Sequence, residues 1–116
     1  MNVNSAFSRP VDGAILSGRR FTIRGAAWAG EERVRTVEIS ANGGKLWQPA
    51  RLEGSAPQPY AWVQWAYDWK IPGPGPYELV VRATDDQGRQ QPEERPSGRL
   101  DDYERNIQHR IAVTVT

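Results

Sequence analysis

The chain has 116 residues, 38% of them hydrophobic, with fifteen Lys and Arg against fourteen Asp and Glu, which leaves room for one domain and one core. The absence of cysteine removes disulfides, thiolate nucleophiles, zinc–thiolate centres and iron–sulfur clusters together. A net charge of +1 argues against a nucleic-acid partner, because phosphate affinity comes from counterion release at a strongly basic surface, and no apolar run nears the ~20 residues that cross a bilayer, so no membrane partner is expected either.

Residues 1–15 carry Arg9, Pro10 and Asp12 instead of a basic start and an apolar stretch, so no secretory signal is expected and the compartment stays open. From there turn signals recur at short intervals, among them Asp12-Gly13, Ser17-Gly18, Asn42-Gly43-Gly44, Pro72 to Pro76 and Asp85 to Gly88. The runs between them are too short for helices. In chain order they are Ala14 to Leu16, Arg20 to Ala27, Val34 to Ser40, Leu46 to Leu52, Trp62 to Trp69, Tyr77 to Thr84 and Ile107 to Thr116. These predict an all-β sandwich of about seven antiparallel strands in a single domain over residues 1–116.

Asn42-Gly43 supplies the positive backbone dihedrals of a tight hairpin, so Val34 to Ser40 is expected to pair with Leu46 to Leu52. In Trp62 to Trp69, alternation puts Val63, Trp65, Tyr67 and Trp69 on one face and Trp62, Gln64, Ala66 and Asp68 on the other. If the first face is core, Trp62 is left to anchor a partner. If it is not, Trp65, Tyr67 and Trp69 form an exposed aromatic platform. In Tyr77 to Thr84 the side chains of Tyr77, Leu79, Val81 and Ala83 share one face, which is expected to be core. A long polar loop then spans about 85–105, with seven acids against four arginines. His109 falls on the apolar face of the last strand. With no nucleophile motif near it, it reads as a structural histidine, not a triad member. One histidine and no cysteine cannot fill a zinc or iron shell, and the acidic pairs lack the pattern of a calcium loop, so no metal site is expected.

Four segments carry a further signal: Gly25-Ala26-Ala27-Trp28-Ala29-Gly30; Val37 to Ala50, with Asn42-Gly43-Gly44 and Trp47 inside it; Ala61-Trp62-Val63-Gln64-Trp65; and Arg82-Ala83-Thr84-Asp85 on to Gln91-Pro92. In order and spacing they resemble the dimerisation domain of molybdenum-cofactor oxidoreductases of the sulfite oxidase family. The resemblance implies an immunoglobulin-like sandwich that pairs with its copy and supports a molybdopterin-binding catalytic domain, without being an enzyme by itself. It places the molybdopterin cofactor in that other domain, on a cysteine this chain lacks, and implies no cofactor here. Trp62, Trp28 or residues of the exposed strand faces are the candidate anchors of the paired face, and the sequence does not choose among them. In sulfite oxidases an arginine of this domain also lines the oxyanion pocket, in a W-N-x-R-G segment. The equivalent region here, Glu93 to Asn106, has Asp101-Asp102 where Arg-Gly is expected, and its nearest arginines are Arg99 and Arg95. Three readings stay open: Arg99 or Arg95 contributes to the cleft of the parent enzyme, the parent acts on another substrate, or the pocket role has lapsed. The alternative to the family reading is an independent immunoglobulin-like binding module in which an aromatic platform from Trp62, Trp65, Tyr67 or Trp69 stacks on carbohydrate or protein.

Overall fold

Alternation decides which way the longest strand faces. In the computed structural model, which describes residues 3–29, 33–53, 62–92 and 108–116, β8 (Gly75–Asp85) buries Leu79, Val81 and Ala83 completely and turns Glu78 to solvent. It pairs antiparallel with β4 (Val34–Ser40) on one side and β9 (His109–Val115) on the other. With β2 (Ile15–Leu16) and β5 (Gln48–Pro49) at its edges, the five-stranded sheet has the order β2-β9-β8-β4-β5. The facing sheet has four strands in the order β1-β3-β7-β6, formed by β1 (Asn4–Arg9), β3 (Arg20–Trp28), β7 (Val63–Lys70) and β6 (Arg51–Glu53). Between the two sheets lies one apolar core, with Trp65, Ile23, Ile39 and Leu79 among its largest fully buried side chains.

The sandwich and its core face are as expected, and three details differ. First, β1 is an additional strand, and the described residues hold nine strands in all. Second, β2 lies parallel to β9, with Ile15 opposite Thr114 and Leu16 opposite Val115. Third, the hairpin after β4 is antiparallel but brief: only Glu38–Pro49 and Ile39–Gln48 are paired, and Arg51–Glu53 crosses to the other sheet to pair with β7. The turn is longer than two residues because side chains compete for its main chain. Ser40 Oγ accepts from the Gly44 N–H (2.8 Å), Asn42 Oδ1 accepts from the Leu46 N–H (2.9 Å), and Gly43 and Gly44 take positive φ. The loop ends with the Trp47 ring 3.9 Å from the guanidinium carbon of Arg82, which also donates to Glu38 (3.0 Å).

The expected long loop begins as ordered structure. The fully buried Asp85 carboxylate accepts from the Gln87 and Arg89 N–H groups (3.0 and 2.9 Å) and from Arg89 Nε (3.0 Å), closing the turn. Gln90 then bridges Thr84, Gln91 is buried beneath β1, and Gln108 N–H donates to Pro92 O (2.9 Å). Residues 93–105 of that loop lie outside the described residues.

β1 is an edge strand of its sheet, and one of its outward N–H groups is satisfied by a side chain from the other sheet: Phe7 N–H donates to His109 Nδ1 (3.0 Å). An accepting Nδ1 requires neutral imidazole. Burial holds the His109 pKa below its ordinary 6.5, and the Asp12 carboxylate opposes that shift. The folded state therefore takes up this proton less readily than the unfolded chain. Stability should be complete above about pH 6.5, fall as the pH drops from there to the lowered folded value, and level off below it. Urea midpoints measured between about pH 7.5 and 5.5 should decline accordingly, and His109→Gln should flatten that part of the profile. An unchanged slope in the variant would assign the decline to other groups.

Candidate interaction surface

β3 and β7 pair antiparallel from Arg20–Lys70 up to Ala27–Val63, so the residues just beyond the last rung, Trp28 and Trp62, arrive side by side on the outer face. Their rings stack at a centroid distance of 5.9 Å and an angle of 19°. Trp28 is half-buried, whereas Trp62 is 60% exposed. An indole that open leaves about 100–150 Å² for a partner to cover, worth about 2–4 kcal/mol. The other large apolar side chains in the open, Val11, Ile15 and Leu46, are aliphatic, so among these Trp62 is the one ring that a partner could cover.

The middle of the same face is a lattice of ion pairs. Arg24 reaches Glu53 (2.6 Å), while Arg51 contacts Glu53 (3.6 Å) and Asp68 (3.3 Å). The Thr22 hydroxyl donates to Asp68 (3.1 Å), and that bond, followed by the one from Arg51, holds the Asp68 carboxyl below its usual range. These side chains roof Ala66, which is fully buried although it sits on the outer face. Such exposed pairs add little stability, but they give the centre of the face a mixed polar texture.

The structure therefore brings the two predicted anchors together and separates the predicted platform. Trp65 and Trp69 are 0% and 3% exposed, so neither can stack on a ligand. Tyr67 is half-buried at the rim of a cleft of about 270 Å³ that it shares with Leu46 and Tyr77. Trp65 and Trp69 are thereby removed from the expected aromatic platform: they are core, because the Val63–Trp69 face turns inward against Ile23 and Leu79. Arg95 and Arg99 lie outside the described residues. His109 is committed to the main chain of β1, as a structural histidine would be. What the sequence reading missed is the Arg24–Glu53–Arg51–Asp68 lattice. Alternation placed Asp68 on the Trp62 face, but nothing local announced that β6 would bring Arg51 and Glu53 beside it.

A two-sheet sandwich with an exposed tryptophan pair on one outer face has the make-up of an interaction domain. A family model, the Mo-co oxidoreductase dimerisation domain, matches residues 1–116, and the chain belongs to that family. It is 35% identical over 119 residues to mitochondrial sulfite oxidase of Mus musculus, covering 97% of this chain and 22% of that protein. It is 33% identical over 106 residues to the nitrate reductase [NAD(P)H] of Betula pendula, covering 80% of this chain and 12% of the reductase. Among solved structures, the sulfane dehydrogenase SoxCD of Paracoccus pantotrophus superposes with a TM-score of 0.77 at 30% identity, over 95% of this chain and 29% of that one. The chain thus spans about a fifth or less of the curated relatives it matches. It is a dimerisation domain of molybdenum oxidoreductases. The side chains present do not fit the metal of that cofactor. The chain has no thiolate to offer, and among the described residues no three of His, Asp and Glu converge.

Proposed function

We propose that this chain, acting as one domain over residues 1–116, works by association alone: it pairs with a second copy and packs against a molybdopterin-binding catalytic domain, and turns over no substrate itself. The observation that carries the reading is the family match along the whole chain. The stacked Trp28–Trp62 pair supplies the kind of apolar anchor that a symmetric interface needs at its centre. Neither nucleic acid nor membrane has a place in this reading, since the chain carries nearly balanced charge.

Sedimentation across a concentration series tests it. The chain should dimerise, and Trp62→Ser should weaken the dimer by about 30-fold or more, the loss of about 2 kcal/mol expected for a buried aromatic anchor. A strict monomer at high concentration would refute self-association by this chain. Arg99, and after it Arg95, are the proposed contributors to an anionic substrate cleft in a longer protein that carries the catalytic domain. In such a protein Arg99→Ala should raise KM for an oxyanion substrate, and unchanged kinetics in both alanine variants would remove that role.

A further inference from the structure

At the end of the four-stranded sheet away from the tryptophans, Arg20 and Lys70 are direct cross-strand partners. Like charges placed opposite one another in an antiparallel pair repel, where an opposite-charge or apolar pair would stabilise. The carboxylate on the next rung is engaged elsewhere: Asp68 Oδ1 accepts from Thr22 and Oδ2 from Arg51, and no ion pair joins it to Arg20 or Lys70. Two more cations lie near this end, outside the groove that Arg20 and Lys70 line: Arg19, adjacent to Arg20 in the chain and lining a separate cleft with Ile71 and Pro72, and Arg9, whose guanidinium carbon lies 5.4 Å from the Phe21 ring centroid. Among the described residues none of these four has a carboxylate within ion-pair distance. A groove of about 240 Å³ runs between Arg20 and Lys70, walled also by Phe21, Thr22, Asp68 and Trp69.

We propose that this cationic end docks a carboxylate-rich segment of a different protein. Three arguments select that occupant. A second copy of this chain is unsuited, because a two-fold axis through the groove would set Arg20 and Lys70 against their own copies. The tryptophan pair lies eight residues away along β3, about 26 Å, so both ends of the face can be engaged at once. Nucleic acid is unsuited too: four cations on a chain of net charge +1 form a small footprint beside the six to ten phosphate contacts of a typical binder. Carboxylate side chains are small enough to enter the groove, and they would relieve a repulsion that no ion pair among the described residues relieves. A local rule broken without internal compensation is where a functional contact is expected. The proposal goes beyond the dimer reading and does not depend on it.

The test is a titration of a fluorescently labelled poly-glutamate peptide of about ten residues with the 116-residue chain, read by anisotropy at about 0.02 M and 0.15 M salt. Saturable binding is expected, weaker at the higher salt, and reduced at least about 10-fold by Arg20→Glu. Arg35→Glu, on β4 of the other sheet, should leave it unchanged. Because Arg20→Glu sets opposite charges across the same rung, its Tm should rise while its peptide affinity falls, which separates lost docking from misfolding. No saturable binding at low salt, an equal loss in Arg35→Glu, or equally tight binding of a single-stranded oligonucleotide of matched charge would overturn the proposal.

Discussion

Gly25→Ala is expected to abolish cooperative folding or to lower Tm by at least about 12 °C. A Cβ built at Gly25 would stand 2.1 Å from Ala6 O and 2.3 Å from Trp65 Cζ2. Neither neighbour can give way. Ala6 O belongs to the main chain of β1, fixed by pairing with β3, and the Trp65 indole is 0% exposed and packed edge-on against Phe7 at 5.6 Å. Overpacking by one carbon usually costs about 1–3 kcal/mol, and a collision with backbone on one side and a locked indole on the other belongs at or above the top of that range. For a domain of this size about 3 kcal/mol corresponds to roughly 12 °C, and it is a large share of a total stability of about 5–15 kcal/mol. Gly73→Ala is the control, since a Cβ there meets nothing within 4 Å, and its Tm should move by less than about 2 °C. Thermal circular dichroism of the two variants checks both; similar melting curves would mean that β1 and the indole yield far more easily than their packing implies.

The same region shows what was and was not readable from the chain. The sequence pattern locates Val34 to Ser40 with its observed bounds, and the strands over 20–28, 63–70, 75–85 and 109–115 to within a residue or two. Alternation of apolar and polar side chains dominates in them because one face meets the core and the other meets water, although Val80 of β8 and Ala66 of β7 are buried on the outer faces. β1 escaped because Asn-Ser-Ala-Phe-Ser-Arg has neither alternation nor a β-branched residue. It is a strand because β3 pairs with it on one side and His109 and Gln91, from distant parts of the chain, hold it on the other. The 46–52 run reads as one strand because its local pattern contains no break, yet the chain changes sheets at Ala50, after Ala50 N–H has bonded Val37 O (2.8 Å). In the candidate site, Trp62 was readable as outward-facing from alternation alone. Its stacking on Trp28 follows only from the register of β3 against β7, which is set by 28 and 62 lying just past a shared last rung. Local pattern thus carried the faces of strands, and long-range register carried everything that brings side chains together across them.

Gln91 concentrates that long-range information, and its replacement by leucine is expected to cost about 2–4 kcal/mol, close to 8–16 °C in Tm. It is 1% exposed. Its Oε1 accepts from the Ser5 hydroxyl and from the Ala83 N–H (2.8 Å), its Nε2 donates to Asn4 Oδ1 (3.3 Å), and its own carbonyl accepts from Gln108 Nε2 (3.1 Å). The side-chain amide therefore ties β1 to β8, while the main chain of the same residue holds Gln108, the residue that enters β9, so that one side of the sandwich is closed. Leucine preserves the volume but leaves the Ala83 N–H and the 2%-exposed Ser5 hydroxyl without their acceptor in a dry interior, where each loss carries about 1–3 kcal/mol. Ser5→Ala removes only one of the donors and should cost less. Since Ser5 and Gln91 share a bond, the double variant should be less destabilised than the sum of the two, by about 1 kcal/mol. Hydrogen exchange should locate the loss in β1, whose amides would lose protection before those of β3 and β8. Uniform loss of protection across both sheets, or additive single-variant costs, would show that Gln91 supports the core as a whole and does not act as the clasp of β1.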